Sequence, residues 1–321
     1  MTGYGYTLMT EQSGPRELVG HAAGGERAGF DFEVISDHYF PWLDAMGHSP
    51  YAWSVLGAVS QMTTRVELMT YVTCPIMRYH PAVVAQKAAT VDLLSGGRFT
   101  LGLGAGENLN EHVIGEGWPP VNVRHEMLEE ALRIITALFD GGYVNFTGDH
   151  FRVDSAKVWD LPQNPVPIGV AVSGGQSVQT FAGLADHLIA VEPDAELIGR
   201  WEAANTNAHS RKIGQLPVCW GPDRDASIER AHELFRWFGG GWKVNAELPG
   251  PAAFAGASQY VSKDDVADSI PCGPDVEAIV KAVRAFEDAG FTDVALVQIG
   301  DEAQHGFLEM AEKELLPALR G

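Results

Sequence analysis

Short apolar runs alternate with amphipathic stretches along the whole chain. Tyr4–Met9, Phe32–Ser36, Val66–Thr73 and Arg98–Leu103 are rich in β-branched and aromatic residues and read as strands. Each leads into helical sequence, first Pro15–Phe30, then Ser49–Thr64, then Pro81–Leu94. The first of these helices opens on a proline and closes near Gly29, the usual start and stop residues. The fourth helix, Arg124–Phe139, places Met127, Leu128, Ala131, Ile134, Ile135 and Leu138 on one stripe.

The alternation is interrupted over about residues 141–162. There Tyr143–Phe146 and His150–Val153 flank Thr147-Gly148-Asp149, which predicts a small hairpin outside the repeat. Strands resume at Val166–Val172, Leu188–Val191, Leu216–Cys219 and Asp293–Ile299. The intervening helices are expected at Ser177–Ala185, Glu196–Ser210, Ala226–Phe238 and Asp275–Gly290, with Glu302–Leu319 closing the chain. Residues 239–262, rich in Gly, Pro and Ala, read as an irregular insertion near the mouth of the fold.

Most strands are continuous apolar runs, as expected when both faces are covered. Eight strand–helix units with two insertions predict an α/β fold, a single (β/α)₈ barrel over 1–321. The rival, a doubly wound open sheet, would carry fewer strands or a second domain of different composition, and no such break is visible.

Composition narrows the function classes. The hydrophobic share is 45% and the formal net charge is −20, so the chain folds and its field repels nucleic acid and anionic membranes. No window reaches membrane-spanning length, and the first residues lack a signal-peptide pattern, which predicts a soluble cytoplasmic protein. Three cysteines without a CxxC argue against a disulfide framework or a zinc site, and no histidine spacing suggests a metal.

In such a barrel, chemistry gathers at the C-terminal ends of the strands. Glu11 follows the first strand, Asp37, His38 and Trp42 the second, and Thr73 ends the third. Glu107, Asn108 and Asn110 follow the fourth, Ser173–Ser177 the fifth, and Glu192 and Asp194 the sixth. A histidine beside a carboxylate suits acid–base work, and a loop carbonyl satisfying the ring is the plainer alternative. Glu107 follows a Gly-x-Gly turn where backbone approaches a ligand closely, although a carboxylate at a helix start needs no ligand. The glycines and hydroxyls of Ser173–Ser177 offer free N–H groups to an anion, or an ordinary helix cap. The glycines Gly102, Gly104 and Gly106 alternate and do not make a dinucleotide fingerprint.

Six segments resemble one known family: GYTLMTEQSGPRELV, ISDHYFPW, YVTCPIMRYHPAVVAQ, LGLGAGENLNE, VNFTGDHFRV and VPIGVAVSGG. Over essentially its whole length the chain is similar to the deazaflavin (coenzyme F420)-dependent glucose-6-phosphate dehydrogenases, a branch of the bacterial-luciferase-like superfamily. The pair SDHxxPW and GxGExLN marks the F420 branch. The resemblance implies a small-molecule oxidoreductase, F420 as cofactor and a homodimer. It implies His38 as catalytic base, Glu107 as the second acid–base group and Trp42 as the supporting indole. It assigns cofactor contacts to Asp37, Tyr71, Val72, Thr73, Cys74, Glu107, Asn110, Ser173, Gly174, Gly175, Gln176 and Ser177. It also implies a non-prolyl cis peptide at Tyr71–Val72, although the family carries a small residue where this chain has tyrosine.

The family holds its substrate phosphate with two lysines and an arginine. Here Asp194 falls where one lysine is expected, Val191 where a sugar-contacting threonine is expected, and Asp268 near the arginine. With Glu11, His38 and Trp42, the substrate side is expected to include Val191, Asp194, Trp242 and Lys243. Carboxylates in place of cations disfavour a dianion. The expected activity is therefore an F420-dependent dehydrogenase acting on a neutral alcohol or unphosphorylated sugar. The alternatives are an F420H₂-dependent carbonyl or enone reductase, a sugar-6-phosphate dehydrogenase, or an FMN-dependent luciferase-like monooxygenase.

Overall fold

A computed structural model describes residues 2–321. Its strands are β1 (Gly3–Leu8), β2 (Phe32–Ile35), β3 (Glu67–Thr70), β4 (Phe99–Leu103), β5 (Val144–Thr147), β6 (Arg152–Ala156), β7 (Ile168–Ala171), β8 (His187–Ala190), β9 (Lys212–Val218) and β10 (Asp293–Gln298). All but β5 and β6 close into a parallel barrel, in which β4 pairs β7 and β10 returns to β1. The register runs Gly5↔Phe32 between β1 and β2 and Gly3↔Asp293 between β1 and β10. The predicted (β/α)₈ barrel is therefore the fold.

Side chains alternate across each strand. Phe32, Val34, Met69, Ile189, Ile213 and Ala295 form a core inside the barrel, and the other face packs against the helices. Strands β3 and β4 approach so closely that a Cβ on Gly102 would occupy the place of the Thr70 carbonyl. The Thr70 hydroxyl bridges the same two strands, donating to Gly102 O at 2.8 Å and accepting from Gly102 N at 3.0 Å.

Several boundaries differ from expectation for local reasons. The third strand stops at Thr70, and the expected end at Thr73 survives only as an isolated bridge to Leu103. The helix expected to run to Ser210 covers Ala195–Ala204, and Asn205 ends it by donating to the carbonyls of Ala182 and Ala185 at 2.7 and 2.9 Å. Strand β9 begins at Lys212, earlier than expected, and the helix after it ends at Phe235 in a 3₁₀ turn, Arg236–Gly240. Residues 239–262 are not wholly irregular: they hold short helices at Trp242–Asn245 and Pro251–Ala257, the second with proline in its first turn. A further short helix, Lys263–Ser269, follows with a Ser262 cap. The hairpin β5–β6 is antiparallel, with a register shift between Val144 and Phe146. Among the described residues, no helix is long and apolar enough to cross a membrane.

Candidate active site

His38, just beyond the end of β2, lies between two carboxylates. Its Nδ1 is 3.3 Å from Glu11 Oε1 and 3.1 Å from the Phe40 carbonyl, and its Nε2 is 3.2 Å from Glu107 Oε1. All three side chains are largely buried, and Glu11 is 1% exposed. Burial alone opposes a charged imidazole, but Glu11 and Glu107 outweigh it and raise the His38 pKa to about 9. Burial likewise pushes Glu107 up, while His38 and Asn110 hold it below the usual carboxylate range. Asn110 Nδ2 donates to Glu107 Oε1 at 2.7 Å, and its oxygen accepts from the N–H groups of Tyr39 and Phe40 at 2.7 and 3.2 Å. The β4 turn and the β2 loop are thus locked together at His38.

Glu11, expected to face substrate, instead sits behind the imidazole. Its Oε2 accepts from the hydroxyls of Thr10 at 3.1 Å and Ser36 at 2.5 Å, which leaves Oε1 for His38. It faces Nδ1 and favours the charged imidazole.

Asp37 is fully engaged. Its Oδ2 accepts from Trp53 Nε1 at 3.0 Å and Thr73 Oγ1 at 2.8 Å, and its Oδ1 accepts from Arg78 and Tyr79, each at 3.2 Å. Arg78 also lies beside Glu111, whose Oε2 accepts from the Arg78 backbone N–H at 2.7 Å. Burial pushes Glu111 up to about 7 despite that arginine. Asp37, accepting, and Thr73, donating to it, therefore stiffen the floor of the site. Cys74 is buried in the same floor, packed against Gly106, whose φ of 74° favours glycine.

The peptide Tyr71–Val72 is cis, as the resemblance implied. Val72 packs against Gly104, where a Cβ would collide with it. The Tyr71 phenol crosses the barrel top and donates to Ala190 O at 3.0 Å. After β7, the N–H groups of Ser173 and Gly174 donate to Ser177 Oγ at 3.2 and 3.3 Å. The next N–H groups, of Gly175 and Gln176, open the following helix and have no intrahelical acceptor. A side chain on Gly174 would meet open space, so the backbone there is accessible. The Val72–Gly104 contact, an accessible backbone turn and the His38–Glu107 pair fit a flat heterocycle with an anionic tail.

The outer residues are dispersed. Val191 and Asp194 follow β8 and are exposed; Asp194 caps Ala195–Ala204, accepting from Glu196 N at 2.9 Å and Leu197 N at 3.1 Å. Asp268 is exposed on Lys263–Ser269. Trp242 and Lys243 are exposed on their short helix, which reaches the site through its end: Asn108 donates to Ala246 O at 3.0 Å and to Glu247 O at 3.1 Å.

Sequence reasoning missed Trp237. Its ring stacks on Trp42 at 4.0 Å and 11°, while Trp42 lies 4.7 Å from the His38 ring and edge-on to Phe254. The aromatic run FRWFGGGW was the available signal, but nothing local said which ring turns inward.

A sequence profile of the luciferase-like monooxygenase family matches residues 2–293. The chain belongs to this family. Within it, the F420-dependent glucose-6-phosphate dehydrogenase of Segniliparus rotundus is 32% identical over 98% of this chain and 97% of its own length. The F420-dependent hydroxymycolic acid dehydrogenase of Mycobacterium tuberculosis is 37% identical over 90% of this chain and 81% of that protein. Among solved structures, an F420-dependent secondary alcohol dehydrogenase, in complex with an F420–acetone adduct, superposes with a TM-score of 0.91. It is 28% identical and covers 100% of this chain and 99% of its own. The luciferase-like barrel described above thus sits among F420-dependent dehydrogenases.

Proposed function

We propose that this luciferase-like protein is an F420-dependent dehydrogenase that oxidises a neutral alcohol. The observation that carries the reading is His38 set between two carboxylates and against the Trp42–Trp237–Phe254 cluster. Such an arrangement places an acid–base group against an apolar surface, which suits a carbinol. The exposed carboxylates Asp194 and Asp268, standing where the phosphate-binding relatives are expected to be cationic, point the same way. The secondary alcohol dehydrogenase neighbour supports this substrate class.

In this reading Val72, Thr73, Cys74 and Ser173–Ser177 hold the cofactor, with the N–H groups of Gly175 and Gln176 toward its anionic tail. Bound F420 supplies two-electron acceptor chemistry. His38 takes the hydroxyl proton at Nε2 once deprotonated, Glu11 keeps the ring oriented through Nδ1, and Glu107 exchanges a proton with Nε2. Trp42 fixes the imidazole edge and excludes water. The chain contributes position and electrostatics, and the cofactor carries the redox step.

The charged state of His38 favours a second reading. An imidazolium held by two carboxylates is an acid at neutral pH, as carbonyl reduction in the reverse direction requires. The deciding experiment follows oxidised F420 absorbance with secondary alcohols, sugars and sugar phosphates side by side, then reduced F420 with the matching ketones.

We propose further that the protein is a cytoplasmic homodimer. Helices Ala52–Met62 and Pro81–Ser95 pack side by side and leave Met62, Val83, Leu93 and Leu94 exposed. Light scattering of the purified protein tests this by mass.

A further inference from the structure

Two of the three cysteines meet at the mouth of the barrel. Just beyond β9, Cys219 forms an isolated parallel bridge with Cys272: its N–H donates to Pro271 O at 2.9 Å, and Gly273 N donates to Cys219 O at 3.1 Å. Residues opposed in this way have Cα atoms about 4.8 Å apart. That lies inside the span of about 4.4–6.8 Å that a disulfide requires. The side chains fall on one face, as those of directly opposed residues in a ladder do. Cys219 is buried and Cys272 is half-buried, so a small oxidant reaches the pair from the Cys272 side.

The surroundings activate one sulfur. As a thiol, Cys219 donates to Ser227 O at 3.1 Å, and Arg230 Nε donates to its sulfur at 3.3 Å. The neighbouring Cys272 and the Arg230 guanidinium hold Cys219 below the usual thiol range, against burial and Glu302. Cys219 and burial push Cys272 well up. A thiolate-prone sulfur beside a protonated thiol is the arrangement that disulfide formation needs.

The position gives the bond a consequence. The chain between the two cysteines is the whole excursion after β9, including helix Arg224–Phe235, Trp237, Glu247 and Phe254. Trp237 stacks on Trp42, and the Glu247 carbonyl is tied to Asn108. A covalent link at the base would close this loop where it leaves the barrel.

We propose that Cys219 and Cys272 are a reversible dithiol–disulfide couple, with a hydroperoxide as oxidant, that locks the base of the excursion carrying Trp237. The Cys219 thiolate attacks the terminal oxygen of the hydroperoxide, forming S–O as O–O breaks and releasing hydroxide from hydrogen peroxide or alkoxide from an organic hydroperoxide. Cys272 sulfur then displaces the sulfenic oxygen, which leaves as water with the thiol proton. With hydrogen peroxide the balance is two thiols and one peroxide giving one disulfide and two waters. Intracellular disulfides are commonly of this transient kind.

The test treats the full-length protein with hydrogen peroxide, then blocks remaining thiols with N-ethylmaleimide under denaturing conditions and maps the peptides. The expected result is one cross-link joining the Cys219 and Cys272 peptides, with Cys74 still alkylated, fully reversed by dithiothreitol. The oxidised protein is expected to melt several degrees higher, as closing a loop of roughly fifty residues implies. In Cys272→Ser the cross-link is expected to vanish, and dimedone is expected to trap Cys219 as its sulfenic acid. Complete alkylation of both cysteines after oxidation, or a cross-link through Cys74 or between chains, would overturn the proposal.

Discussion

The indole of Trp237 lies face to face on that of Trp42, with ring centroids 4.0 Å apart and planes 11° from parallel. Trp42 follows β2 and Trp237 follows β9, so the stack joins the loop that carries His38 to the excursion after β9. With the Trp42–Phe254 contact and the two Asn108 hydrogen bonds, it ties the outer segment to the candidate site.

Truncating Trp237 is therefore expected to act on both stability and catalysis. Trp237→Ala should cost roughly 3–5 kcal/mol of stability, the usual loss for a buried tryptophan. Trp237→Phe should retain most of that stability and of kcat/KM. If Trp237→Ala folds with unchanged kcat and KM, the wall has no part in the reaction.

His38→Ala and Glu107→Gln are each expected to lower kcat by roughly 10²–10⁴-fold, the worth of a general acid or base. F420 affinity, read by fluorescence titration, should fall much less in His38→Ala. A variant with near-parental turnover would remove its residue from the proposed chemistry.

The pH dependence follows from the His38 pair. A base that must be neutral gains activity as pH rises through its pKa, so alcohol oxidation should climb toward a plateau above about pH 9. Glu11 favours the protonated ring, so Glu11→Gln should move this limb to lower pH. The limb staying in place would deny Glu11 its role.

Glu33 on β2 provides a stability test away from the site. Both carboxyl oxygens are buried without a hydrogen-bond partner, and burial, aided by Glu26, raises its pKa well above 4.5 against the pull of Arg98 and Arg65. Its contribution is fully present below pH 4.5 and is lost as pH climbs toward the raised folded value. Glu33→Gln is thus expected to gain stability over the parent between pH 4 and pH 8. Denaturant melts at both pH values check this, and an equal difference at the two would contradict it.

The barrel was legible because eight apolar runs and their helices repeat with a regular period, and position at strand ends then singled out His38, Glu107 and Asn110. Contacts between distant segments were not legible. Glu11 and His38 belong to different strands, and only the register of β1 on β2 turns the carboxylate behind the ring. The full engagement of Asp37 needed Trp53, Thr73, Arg78 and Tyr79 placed in space. Residues 239–262 misled because low-complexity composition hides short helices set by single residues such as Pro251.

Cofactor choice separates the account from a flavin monooxygenase. F420 is expected to bind at least about 100-fold more tightly than FMN, about 2.7 kcal/mol. Equal affinities in parallel titrations would revive the monooxygenase reading.

The most direct test of the account compares kcat/KM for a neutral secondary alcohol, glucose and glucose-6-phosphate on one preparation with F420. The neutral substrates are predicted to be preferred, because Asp194 and Asp268 stand where a phosphate would need cations and Arg78 is committed to Asp37 and Glu111. A preference of tenfold or more for the phosphate ester would contradict the account and point to Lys243 as its ligand.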